Sequence, residues 1–124
     1  MSGYVTNIEK DTLANKDFRR VLFTGPHTQL VLMTLQPGDD IGVETHEGHD
    51  QFIRVESGEG EAVLNGKHHR LGDGSAVVIP AGVQHNIINT SYAEPLRLYT
   101  LYSPPEHVDG TIHRTKGEAA AAHH

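Results

Sequence analysis

Cysteine is absent from the 124 residues. Its absence excludes disulfides, iron–sulfur clusters, thiolate zinc sites and cysteine nucleophiles, and makes a cytoplasmic location the default expectation. No apolar run approaches the ~20 residues that a membrane helix needs. The opening MSGYVTNIEKDTLANKDFRR lacks the apolar centre of a secretory signal. A soluble protein is expected. Basic residues are also few: ten Lys and Arg against sixteen Asp and Glu leave a formal charge of −6. None of them forms a stripe suited to a phosphate backbone, so neither nucleic acid nor membrane is an expected partner.

What the chain has is length for one domain, since domains cluster around ~100–150 residues. A chain of this size buries roughly two-thirds of its unfolded surface without cross-links. Histidine is the one unusual abundance, at ten residues. His123 and His124 read as the remnant of an expression tag and are set aside.

Residues 4–19 mix charges with scattered apolar positions and read as an N-terminal arm with a short helix around residues 8–15. β-type runs follow at 21–24, 29–35, 41–46, 51–56, 61–64, 68–71, 75–79, 85–89 and 96–102, punctuated by Gly25-Pro26, Pro37-Gly38 and other turn residues. Asn65-Gly66 between two of these runs predicts a tight hairpin, because both residues tolerate positive φ. Many short strands with no amphipathic helix between them predict an all-β antiparallel sandwich or barrel. The chain divides into an arm at 1–19, a barrel at 20–103 and a tail at 104–124, which ends as a short helix or a frayed terminus.

Glu44 and His46 are two apart in an expected strand, so both project from one face. Gln51 opens the next strand, folded back by the connection Glu47-Gly48-His49-Asp50. Its same-face neighbours Ile53 and Val55 form an apolar wall, with Arg54 and Glu56 outward. His85 follows the turn Pro80-Ala81-Gly82-Val83-Gln84. Imidazole nitrogen, carboxylate oxygen and amide oxygen are competent metal donors, and a set with two imidazoles suits a first-row divalent ion. One carboxylate against such an ion leaves a positive site that attracts an anionic or polarisable oxygen ligand.

These residues fall into a pattern that resembles the cupins, small barrels with two spaced motifs. The first reads here Gly38, five residues, Glu44-Thr45-His46, four residues, Gln51, six residues, Gly58. The second reads Gly74, five residues, Pro80-Ala81-Gly82, two residues, His85, three residues, Asn89. Fifteen residues separate Gly58 from Gly74, a length similar to that of the smallest microbial cupins. The resemblance implies a double-stranded β-helix, or jelly roll, over about residues 20–103. It also implies one divalent ion, Mn, Fe, Ni, Cu or Zn, at Glu44, His46, Gln51 and His85. Two of those four depart from the family's usual His-x-His and Glu: glutamate stands first and a neutral amide third. The alternative is a polar cavity in which the four groups only hydrogen-bond to one another.

Cupins of this kind work on small oxygen-bearing molecules by dioxygen insertion, isomerisation or lyase and cyclase chemistry. Glu44 is the candidate catalytic residue, able to alternate between ligand and general base. A non-catalytic module that binds or senses a small molecule through the ion is the competing expectation, and a structural or storage barrel a third. A homodimer is expected, since small cupins pair through sheet edges and N-terminal arms. His49 reads as an exposed loop histidine, His68 and His69 as surface residues, and His107 and His113 as part of a solvated tail. Asn89 is expected to secure backbone, and of Tyr99 and Tyr102, which have unlike parity, at most one points inward.

Overall fold

Asn7 begins the first regular element by capping it. Its Oδ1 accepts from the Lys10 amide at 3.0 Å, and Glu9 and Asp11 stand in the first turn, where the helix dipole favours negative charge. This helix, α1 (Ile8–Ala14), is followed by β1 (Arg19–Thr24), β2 (Gln29–Leu35), β3 (Asp50–Ser57), β4 (Gly60–Leu64), β5 (Lys67–Leu71), β6 (Ala76–Ile79), β7 (His85–Asn89), β8 (Leu96–Ser103), β9 (Ile112–His113) and α2 (Lys116–Ala121). The structure is a computed structural model that describes residues 2–122, so His123 and His124 lie outside the described residues.

The strands form a six-stranded sheet in the order β6-β3-β8-β2-β1-β9 and a three-stranded sheet in the order β5-β4-β7, with every pairing antiparallel. Period-two alternation sets which face is buried. Along β3, Gln51, Ile53 and Val55 are buried while Arg54 is exposed and pairs with Glu56 at 2.8 Å. Along β8, Leu96, Leu98, Thr100 and Tyr102 are buried. Ala62 of β4 and Ile87 of β7 meet these side chains from the smaller sheet, giving one core between the two sheets. Each fully buried aliphatic side chain contributes about 1.5–3 kcal/mol. The arrangement is the antiparallel jelly-roll barrel expected from the sequence.

The Asn65-Gly66 hairpin forms as expected, with Asn65 at φ 49° and Leu64 paired with Lys67. Of the two tyrosines on β8, Tyr102 is buried and Tyr99 lies against Phe52, with ring centroids 6.3 Å apart. Asn89 is buried and holds backbone on three sides: it donates to the Leu35 and Glu94 carbonyls and accepts from the Ser91 amide.

Two expectations need correction. Residues 41–46 do not form a regular strand: the segment meets β7 only through isolated bridges, Asp40 with Ile88 and Glu44 with His85. Gly42 breaks the ladder at φ +101°, and its amide is bonded by the Asn86 side chain at 2.9 Å instead of by a strand carbonyl. The stretch after residue 103 is not a solvated tail either. β9 pairs with β1, Ala119 of α2 is buried in the core, and Lys116 forms an ion pair with Asp40. The Asp40 carboxyl loses some hydration by burial. That cost is outweighed by hydrogen bonds from Lys116 and Asn86 and by the Lys116 charge, so its pKa lies below the ordinary value.

Candidate metal centre

The interrupted segment and β7 hold the first donors. Glu44 and His85 exchange two main-chain hydrogen bonds, at 2.9 and 2.8 Å, so the two residues lie directly opposite. Gly82 donates to the His46 carbonyl at 2.8 Å and fixes the third. One ligand atom from each of Glu44, His46 and His85 lies within 4.8 Å of the others. Donors about 2.1 Å from a shared ion stand roughly 3 to 4.2 Å apart, depending on whether they are adjacent or opposite, so a spread of up to 4.8 Å is within a small side-chain adjustment of what one ion needs.

The imidazoles are oriented. His85 is buried and donates Nδ1–H to the Val83 carbonyl at 3.0 Å, which leaves its Nε2 lone pair available. His46 Nε2 donates to Glu44 Oε2 at 2.8 Å. Its ring centroid is 5.4 Å from that of His85 and 6.2 Å from that of Tyr102.

Gln51, at 3% exposure, pairs with Tyr102 across β3 and β8. Its Nε2 donates to Thr100 Oγ1 at 3.0 Å, while its Oε1 is buried with no hydrogen-bond partner among the described residues. An orphaned buried carbonyl oxygen costs about 1–3 kcal/mol. A cation would satisfy it, so the donor chemistry here fits a divalent ion. Tyr102 stays protonated: burial raises the phenol pKa most, the Glu44 and Glu106 charges raise it further, and the Arg19 charge and the Gln51 amide only partly oppose them.

Sequence reasoning missed a second group of residues at this end of the barrel. Glu106 Oε2 accepts from His49 Nε2 at 2.7 Å and lies 3.7 Å from His46 Nδ1. His49 also bonds the Pro104 carbonyl and packs edge-on against His46, so it is a part-buried rim residue rather than an exposed one. The His107 ring stands edge-on to Tyr102 at 5.1 Å, and His113 meets Arg19. Gln29 carries the loop that brings Glu106 here: its Nε2 donates to the His107 carbonyl at 2.8 Å, and its Oε1 accepts from the Glu106 and His107 amides. The available signal was an amide at an inward-facing strand position, which needs partners once buried.

Glu44 also borders a cavity of about 180 Å³ shared with Phe18, Arg19, Ile41 and Lys116. A larger concavity of about 980 Å³ runs along Glu59–Glu61 and His68–Gly72, and none of the donors lines it.

A jelly roll with imidazole and carboxylate donors converging between its two motifs is what the cupin resemblance implies. Residues 31–102 match the family model described as Cupin domain, and the chain belongs to that family. It is 46% identical over 125 residues to the uncharacterized protein YrkC of Bacillus subtilis (strain 168), a match covering 96% of this chain and 67% of that one. It is 50% identical over 113 residues to an uncharacterized protein of Acanthamoeba polyphaga mimivirus, covering 88% of this chain and 70% of the other. The crystal structure of BH2720 from Bacillus halodurans superposes with a TM-score of 0.93 at 44% identity, over 97% of this chain and 95% of that one.

Proposed function

We propose that this cupin is a metal-dependent enzyme acting on a small oxygen-bearing molecule inside the barrel. The observation that carries the reading is the pairing of two facts: three ligand atoms of Glu44, His46 and His85 within 4.8 Å, and a buried Gln51 Oε1 that lacks any other partner. A structural or storage barrel has no need of an oriented set bordered by an open cavity and a protonated phenol. Glu44, His46 and His85 would hold the ion, with the Gln51 carbonyl oxygen as the fourth donor. When bound, a first-row divalent ion at such a site supplies Lewis acidity or oxygen activation.

The chain's own residues have distinct work around it. Glu44 borders the cavity and offers a carboxylate that takes a proton from a bound molecule. Tyr102 offers a protonated hydroxyl in a dry setting. Glu106 and His49 form a hydrogen-bonded pair at the rim that orients His46.

Metal content and turnover of wild type and Glu44→Ala test the reading together. The wild type should purify with, or take up, about one ion per chain and turn over a member of an oxidation, isomerisation or elimination panel. The variant should lose both. Survival of metal content and turnover in Glu44→Ala would remove the role given to that residue, and saturable binding without turnover would move the protein to the class of effector-binding modules.

A further inference from the structure

Arg19 is only 3% exposed, on the inward-facing side of β1. A guanidinium is almost never buried unless a carboxylate compensates it, because its hydration is lost. Among the described residues no carboxylate lies within ion-pair distance of Arg19. Its direct contacts are two rings: Nη1 donates to His113 Nδ1 at 3.2 Å, and the Phe18 ring centroid is 5.3 Å from the guanidinium carbon. Its Nε is sealed from solvent with no hydrogen-bond partner. The other cation lining the same cavity, Lys116, is already neutralised by Asp40. The cavity therefore has in one wall a buried cation with no carboxylate in direct contact among the described residues, and in another Glu44, which the metal-dependent reading commits to the ion.

We propose that Arg19 anchors the anionic end of the substrate, and that the substrate is a small carboxylic acid. Its carboxylate docks on the guanidinium and its other oxygen-bearing end reaches the donors around Glu44. This assignment rests on the metal-dependent reading for the second contact but not for the first. A planar fork of N–H donors matches a carboxylate in two parallel hydrogen bonds, and a desolvated setting strengthens them. Size sets the class further. A volume of about 180 Å³ corresponds to roughly six waters at ~30 Å³ each, or to a molecule of roughly six to nine non-hydrogen atoms. That range takes a short-chain mono- or dicarboxylate.

Calorimetric titration with malonate, on wild type, Arg19→Gln and Arg19→Lys, tests the assignment, with ion content measured on every sample. Titrations are repeated after the ion has been stripped and the chelator removed, so that chelation of the ion by malonate is separated from docking on Arg19. Malonate should bind wild type and lose roughly 10- to 100-fold in affinity in Arg19→Gln, with ion content unchanged and the loss persisting in stripped protein. Arg19→Lys, which keeps the charge and loses the fork, should fall between. Equal malonate affinity in wild type and Arg19→Gln overturns the proposal, as does tighter binding of inorganic phosphate than of malonate. Should Arg19→Gln fail to fold, the nitrogen-15 resonance of the buried guanidinium Nε–H in wild type decides: a shift at saturating malonate supports the anchor, and no shift overturns it. Arg19-dependent binding in a protein that takes up no ion would leave the anchor standing and sink the metal reading. Normal ion uptake with Arg19-independent binding would do the reverse.

Discussion

Replacing Gln51 by leucine together with its partner Thr100 by valine distinguishes a metal ligand from a defect of packing, because the two predict opposite effects with and without metal. In the ion-free protein the Gln51 carbonyl oxygen is buried without a partner, at a cost of about 1–3 kcal/mol. Gln51→Leu removes that cost and, with Thr100→Val removing the fully buried hydroxyl that would otherwise be left without its partner, forfeits only the hydrogen bond between them, worth about 1 kcal/mol. The variant should therefore gain about 1 kcal/mol in chelator. Unfolding entropy near 2.1 cal/mol/K per residue over 124 residues converts this to a melting temperature about 4 °C higher. With a divalent ion at about 100 times its dissociation constant, wild type gains about 2.7 kcal/mol. If loss of the amide oxygen weakens binding roughly 30-fold, the variant gains only about 0.9 kcal/mol. The order then reverses, wild type melting about 3 °C above the variant. Thermal melts followed by circular dichroism in chelator and with added manganese, nickel or zinc read both halves. A lower melting temperature for Gln51→Leu/Thr100→Val in chelator, or equal metal-induced shifts in both proteins, would refute the reasoning.

Glu106→Gln should lower metal affinity by about 10- to 100-fold through loss of orientation of His46 while leaving the melting temperature of the ion-free protein within about 2 °C; competition with a chromogenic chelator measures the affinity. Asn89→Ala should cost about 3 kcal/mol in urea unfolding, because it strips partners from the Leu35 and Glu94 carbonyls at a buried position. The Asp40–Lys116 pair contributes only a few tenths of a kcal/mol, since both side chains are partly exposed. Because the folded Asp40 pKa is depressed, that contribution is fully present above the ordinary value of 3.8 and is lost as pH falls below it. Asp40→Asn should remove the corresponding part of the acid-induced loss of stability between about pH 4 and pH 2.

The strands of the barrel were legible because their burial alternates: Gln51, Ile53 and Val55 inward against Arg54 outward is a pattern of period two that local sequence carries unaided. So was the Asn65-Gly66 turn, where a backbone requirement selects the residues. Glu44, His46 and His85 were read as one group, and the structure brings them together, because motif spacing reflects strand geometry. Arg19 and Glu106 were not. Arg19 sits beside a second arginine at the end of the segment read as an N-terminal arm, and only tertiary packing turns it inward. Glu106 reaches the site through a loop held by Gln29, a contact across 77 residues that no local period encodes. The segment 41–46 was misjudged for a related reason. Its alternation suits a strand, but one glycine with positive φ and one asparagine side chain divert the backbone.

That diversion affects how the donor set can vary. Glu44 is positioned by its own main-chain bonds to His85, which any residue but proline can make, and no continuous ladder depends on what its side chain is. Chemistry at this position can therefore change without shifting the alignment of neighbouring strands. A carboxylate occupies the place where the family's usual pattern carries an imidazole, and the barrel around it needs no remodelling to accept the exchange.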